Sequence, residues 1–156
     1  MAESPEERVL LVGSSGGHLA QLLALRAWWS QTQRTWVTFD TADAQHALAD
    51  EPDVVWCYHP TTRNVRNLLR NAWLAVRVVR RTRPTVIVST GAAVAFPFFV
   101  LGRLRRVKTV YIEVYDRVQT PTLTGRLCRR FSSLMLVQWP EQQSLYDESI
   151  VVGPLL

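Results

Sequence analysis

Short apolar runs alternate along this chain with longer stretches of helical period. Arg8–Val12 is one such run and stops at Gly13. Thr35–Phe39, Val54–Tyr58, Thr85–Ser89, Val107–Ile112, Leu134–Val137 and Ile150–Val152 are others, rich in β-branched and aromatic residues. Runs this short and this apolar predict strands buried on both faces. Between them, apolar residues at helical spacing predict helices over His18–Gln33, Asn64–Arg83, about Ala92–Leu104, Leu123–Phe131 and Glu141–Tyr146, with Pro84 stopping the second. Regular strand–helix alternation predicts an α/β fold, a Rossmann-like parallel sheet with helices on both faces. A length of 156 residues suits a single domain over 1–156.

Charge placement adds to this picture. Between Val54 and Ile112 there is no Asp or Glu, yet the stretch holds eleven basic residues, from Arg63 to Lys108. Such asymmetry points to an anionic partner or to a solvated basic face. Along Asn64–Arg83, the cations Arg66, Arg70, Arg77, Arg80 and Arg81 interleave with Trp73 and aliphatic residues. That pattern suits a helix lying on an anionic membrane surface, or one covering a sheet with a wet arginine face. No RNA-binding motif or recognition-helix pattern appears, so nucleic acid is not expected as a partner. The opening MAESPEERVLLVG is acidic where a signal peptide would be basic. The longest apolar run, Ala92–Leu101, falls short of the ~20 residues a membrane span requires. Cys57 and Cys128 show no metal-ligand or CxxC spacing and are expected as buried free thiols.

Candidate chemistry gathers at three turns that each follow a strand. Gly13, Ser14, Ser15, Gly16 and Gly17 leave the first strand and open a helix, where free N–H groups favour an anion or a polar oxygen. This loop is neither G-x-G-x-x-G nor a Walker loop, although Asp40 at the end of the second strand keeps a small NAD(P)-binding domain as an alternative. His18 at the loop's mouth is a candidate general base or a packing histidine. His46 and His59 lack such a setting. Ser89, Thr90 and Gly91 form the second turn, which a doubly wound sheet would open at the same edge; the other reading is a close helix–strand contact. Glu113, followed by Tyr115, Asp116 and Arg117, ends the fifth strand there, as a base, a hydroxyl-binding carboxylate or half of a salt bridge. No Asp-x-Asp metal motif and no cofactor motif is present, so no cofactor is expected.

Gly13-Ser-Ser-Gly-Gly-His-Leu19, Ser89-Thr-Gly91, Tyr111-Ile-Glu113, Arg117-Val118, Leu123-Thr-Gly125 and Val137-Gln-Trp-Pro140, in that order, resemble one family across nearly the whole chain. It comprises the acceptor-side, membrane-associating subunit of the N-acetylglucosaminyltransferase of dolichol-linked oligosaccharide synthesis, with bacterial relatives in exopolysaccharide and capsule synthesis. The chain is also similar to the N-terminal half of the peptidoglycan N-acetylglucosaminyltransferase. The resemblance implies half of a GT-B glycosyltransferase, with a separate catalytic chain binding the UDP-sugar. It implies a polyprenyl-diphosphate-linked sugar acceptor near His18 and the two glycine loops, and a peripheral place at the cytoplasmic face of the plasma membrane. A scaffold that only recruits the catalytic chain is the alternative. Eukaryotic members carry an N-terminal membrane span, whereas seven residues precede the first strand here. The resemblance also implies inversion at the transferred sugar, and the second turn departs from the family at Ala92-Ala93.

Overall fold

The computed structural model describes residues 6–156; Met1–Pro5, part of the acidic opening segment read above, lie outside the described residues. The strands are β1 (Arg8–Val12), β2 (Gln33–Phe39), β3 (Val54–Cys57), β4 (Val86–Ser89), β5 (Lys108–Ile112), β6 (Leu134–Val137) and β7 (Ile150–Val151). They form one seven-stranded sheet in the order β3-β2-β1-β4-β5-β6-β7. Every neighbouring pair is parallel. The order changes direction between β1 and β4, which pair through Leu10↔Ile87 and Val12↔Ser89. At such a switch point the outgoing loops part to opposite sides and leave a crevice beyond the carboxyl ends of the strands.

Strand residues alternate between two cores, as the pleat requires. Leu10, Val12, Ile87 and Tyr111 pack with α4 (Val65–Thr82), α5 (Ala95–Leu104) and α6 (Leu123–Arg129) on one face. Val9, Leu11, Val88 and Ile112 pack with α1 (Gly17–Ala24), α2 (Arg26–Trp29) and α3 (Ala42–Ala47) on the other. Two of the three helices on the first face, α4 and α6, have side-chain-capped starts. Asn64 accepts from Asn67 N at the start of α4, and Thr122 accepts from Gly125 N at the start of α6, both at 3.0 Å. Asn71 ties α4 to the loop after β3, accepting from Tyr58 N at 2.9 Å and donating to Tyr58 O at 2.8 Å.

Three local features depart from the sequence expectation. The single helix expected over His18–Gln33 breaks at Leu25 into α1 and α2. The Trp29 indole turns inward, donates to Leu22 O at 2.9 Å and meets Trp36 edge-on, so packing overrides helical continuity. α3 lies where no helix was expected; only Ala44 within it is buried, too few positions to show a period. Pro140–Leu145 is a 3-10 turn rather than an α-helix. Both cysteines are buried and free, and burial pushes each thiol up to about 12.

Candidate functional site

β1 and β4 deliver two turns to the switch point, and His18 joins them. Its Nδ1 lies 2.8 Å from the Thr90 carbonyl, while Thr90 Oγ1 donates to the His18 carbonyl, also at 2.8 Å. A carbonyl only accepts, so Nδ1 carries the proton and Nε2 of the neutral ring keeps its lone pair. Burial pushes the pKa of His18 below its ordinary 6.5; the Thr90 carbonyl and the charges of Glu113 and Asp116 oppose that shift. Ser89 Oγ accepts from Gly91 N at 2.9 Å and fixes the second turn. Gly91 is needed there. Its φ is 122°, and a Cβ would stand 2.9 Å from both His18 Cε1 and Tyr111 OH.

The first turn is less open to anions than its glycines suggest. Gly16 N donates to Asp43 Oδ2 at 3.1 Å, so a carboxylate already sits at the end of this loop. Asp43 gave no signal in the sequence because its helix is too short to read. Asp40, which motivated the dinucleotide alternative, is exposed and accepts from Gln45 at 2.5 Å. Ser14 and Ser15 are half-buried, and the Ser14 hydroxyl donates to Ser15 O at 3.3 Å. A loop with a fixed carboxylate, hydroxyls and a neutral imidazole is suited to neutral hydroxyl groups more than to phosphates.

Glu113 is fully buried behind the second turn. It accepts from Val114 N at 3.0 Å, Thr122 Oγ1 at 3.1 Å and Thr122 N at 3.3 Å, and from the Tyr146 hydroxyl. Burial and this carboxylate together push the Tyr146 phenol far above its ordinary value, so it stays a donor. Gly125 has to be glycine here, since a Cβ would stand 2.6 Å from Glu113 Oε2 and still closer to the Tyr146 hydroxyl. All of these partners belong to the chain itself, and they pin the 114–122 loop and the start of α6. Neither Thr122 nor Tyr146 was singled out from the sequence. Gln138 extends the brace: its amide donates to Glu113 O at 3.0 Å and to Gln21 of α1, and it accepts from Leu155 N at 2.9 Å.

The remaining expected residues divide along the molecule. Arg117 is exposed on the 114–122 loop, and its carbonyl accepts from Gln142 at 3.0 Å. On α4, Arg66 and Arg80 are exposed. Arg70 stacks 3.8 Å over the Tyr58 ring, and Arg77 lies 4.6 Å over that of Trp73. Val65, Leu69 and Trp73 are 69%, 66% and 59% exposed, an apolar strip at the end of α4 nearer the crevice. Arg81 pairs with Asp53 at 3.0 Å at the far end. Among the described residues no helix is long and apolar enough to cross a membrane, and no group of three His, Cys, Asp or Glu side chains could hold a metal ion.

Comparison with known proteins follows the same outline. The UDP-N-acetylglucosamine transferase subunit ALG14 of Homo sapiens is 26% identical, over 95% of this chain and 82% of its own length. A UDP-N-acetylglucosamine–N-acetylmuramyl-(pentapeptide) pyrophosphoryl-undecaprenol N-acetylglucosamine transferase of Roseiflexus is 34% identical over 81% of this chain but 25% of its own length. The crystal structure of Acinetobacter baumannii MurG superposes with a TM-score of 0.77 at 17% identity, covering 94% of this chain and 45% of that one. The fold is therefore that of the amino-terminal half of a GT-B glycosyltransferase, as expected. The family described as oligosaccharide biosynthesis protein Alg14-like matches residues 9–155, and the chain belongs to it.

Proposed function

We propose that this chain is the acceptor-binding, membrane-associating subunit of a two-chain glycosyltransferase in bacterial polysaccharide synthesis. Its partner chain binds a UDP-sugar, and the acceptor is a polyprenyl-diphosphate-linked sugar. The observation that carries this reading is the His18–Thr90 bond across the switch point, which leaves Nε2 as a lone-pair nitrogen in a setting that keeps it neutral. Family membership supports it, since the relatives bear the name of a transferase subunit. Relatives named for a pyrophosphoryl-undecaprenol acceptor, similar to this chain along a quarter of their own length, support a lipid-diphosphate acceptor.

In this mechanism the acceptor hydroxyl lies against the Gly13–His18 loop, with Ser14, Ser15 and the Asp43 carboxylate able to hold neighbouring hydroxyls. Nε2 of His18 takes the hydroxyl proton as its oxygen bonds to the anomeric carbon of the donor sugar. The bond from that carbon to UDP breaks, and its electron pair leaves with UDP. The new bond forms on the face opposite the leaving group, so the sugar inverts. Glu113 acts as a positioning residue: it holds the loop bearing Arg117 and supports the imidazolium as it forms. The strip of Val65, Leu69 and Trp73, flanked by Arg66, Arg70 and Arg77, rests on the cytoplasmic face of the plasma membrane.

The test is sugar transfer from a panel of UDP-sugars to a polyprenyl-diphosphate sugar, with this chain, the partner chain, and both. Transfer is expected only with both. His18→Ala is expected to lower kcat by about 10²–10⁴-fold without dissociating the complex. Full activity of His18→Ala would leave the chain a scaffold that recruits its partner. Transfer by this chain alone would mean that it binds the donor itself.

A further inference from the structure

Next to the site is a groove that the proposed chemistry does not use. It lies between the starts of α4, α5 and α6, has a volume of about 490 Å³, and is lined mainly by Val65, Leu68, Ala93, Phe96, Leu123 and Leu127. That volume is within the ~300–1,000 Å³ typical of small-molecule sites. The chain leaves much apolar surface open here: Leu68 is 40% exposed, Leu123 71% and Leu127 43%. Asn64 in the lining and Thr122 next to it spend their side chains capping α4 and α6. Ala93 lies three residues beyond Thr90, which bonds His18, so the groove lies close to the second turn. One cation stands at its lip. Arg63 lines the groove and takes part in none of the three ion pairs found among the described residues.

We infer that this groove holds the first isoprene units of a prenyl diphosphate, with Arg63 beside the diphosphate and the attached sugar directed to His18. The inference rests on the functional reading above and adds where the lipid arm lies. Charge placement sets the direction. The Asp43 carboxylate, on the face of the sheet that α3 covers, repels phosphate, so the diphosphate belongs on the face covered by α4, α5 and α6, where Arg63 and the groove lie. An apolar trough with a single cation at its lip matches an apolar chain carrying an anion at one end. A free anion would gain nothing from the leucines, and a neutral lipid nothing from the arginine. Each methylene removed from water tightens binding about fourfold, so even two or three buried carbons outweigh the ordering of a flexible chain end.

The test is calorimetric titration of the full chain, without detergent or bilayer, with three probes: inorganic pyrophosphate, farnesol and farnesyl diphosphate. Farnesyl diphosphate is expected to bind at least about tenfold more tightly than pyrophosphate. The double variant Leu68→Ser/Leu127→Ser is expected to erase that difference and to leave pyrophosphate binding as it was. Both leucines are half-exposed, so an unchanged melting temperature serves as the folding control. A photoreactive farnesyl diphosphate analogue gives a readout on the unaltered chain, with label expected within 61–68, 93–96 and 123–127. Equal binding of pyrophosphate and farnesyl diphosphate would overturn the groove and leave the acceptor reading standing. Equal binding of farnesol and farnesyl diphosphate would remove the diphosphate and overturn both. Tighter binding of farnesyl diphosphate that the double variant does not weaken, with label elsewhere, would place the chain on another surface and overturn the inference.

Discussion

At the carboxyl edge of the sheet the helices begin, two glycine-containing turns meet, and the groups that matter are a neutral imidazole, a buried carboxylate and an apolar groove. At the amino edge the helices end and the cations crowd together. Arg80, Arg81 and Arg83 close α4, Arg103, Arg105 and Arg106 close α5, and Lys108 opens β5. Those are seven of the eleven cations in the acid-free stretch. Helix carboxyl ends carry partial negative charge, and cations there stabilise the fold with no ligand involved. Regional charge in a sequence thus reports two things at once, and only topology separates them. Most of this basic stretch sits at helix ends; the remaining four, Arg63, Arg66, Arg70 and Arg77, lie before α4 or along it beside the apolar strip.

If that contrast is right, the carboxyl edge is intolerant and the amino edge is not. The largest expected effect is at Glu113. Removing a buried carboxylate orphans the Tyr146 hydroxyl and the Thr122 donors and opens a cavity, so Glu113→Ala is expected to cost about 3–5 kcal/mol. Chemical denaturation would measure it. A loss under 1 kcal/mol would mean that the brace around the site is not structural. Gly91→Ala comes next. Its φ of 122° and the crowding of His18 and Tyr111 predict a loss of about 1–3 kcal/mol, with His18 pushed off Thr90 and transfer lost even where the chain stays folded. His18 ring NMR shifts would show the displacement directly.

How much of this was legible in the sequence follows from range. The strands were readable as short apolar runs, most helices because each carries its own period, and the two glycine turns because they follow a strand. His18, Thr90 and Gly91 were each visible singly, but nothing in the sequence said that His18 would bond Thr90, 72 positions away. Glu113 stood out as the first acid after a long gap, and its surroundings did not. Thr122 and Tyr146 look ordinary, and only the return of the 114–122 loop and the turn before β7 bring them to its oxygens. Asp43 was hidden in a helix of six residues, too short for a period.

Acidity offers a sharper probe of the carboxyl edge. Burial lowers the pKa of His18 in the folded chain below its value in the unfolded chain, near 6.5. The neutral ring therefore adds its full stability above pH 6.5. As the pH falls, the unfolded chain takes up the proton first, and this contribution is lost down through the lowered folded value. Stability of the chain minus that of His18→Gln is expected to be flat above pH 7 and to fall below 6.5. The acid limb of kcat/KM is expected below 6.5 as well. An acid limb above 6.5 would mean that the Thr90 carbonyl and the surrounding charges outweigh burial.

The smallest expected effect belongs to the amino edge, where its sign is the informative part. Arg83 ends α4 with a φ of 44°, a left-handed conformation that costs an ordinary side chain about 1 kcal/mol and glycine almost nothing. Arg83→Gly removes that strain. It also removes one cation from the helix end, a loss of about 0.3 kcal/mol at an exposed position, and it frees the unfolded chain somewhat. The 2.8 Å bond from Arg8 Nε reaches the Arg83 carbonyl, which glycine keeps. The balance favours the variant by about 0.5 kcal/mol, readable as a melting temperature higher by roughly 1–2 °C, with sugar transfer unchanged. Arg80→Gln, which loses charge without relieving strain, is expected to shift the other way by a similar amount. Were Arg83→Gly instead to lower stability by more than 1 kcal/mol, or to slow transfer, the guanidinium would have a partner of its own. The amino edge would then be a second functional surface rather than a set of neutralised helix ends.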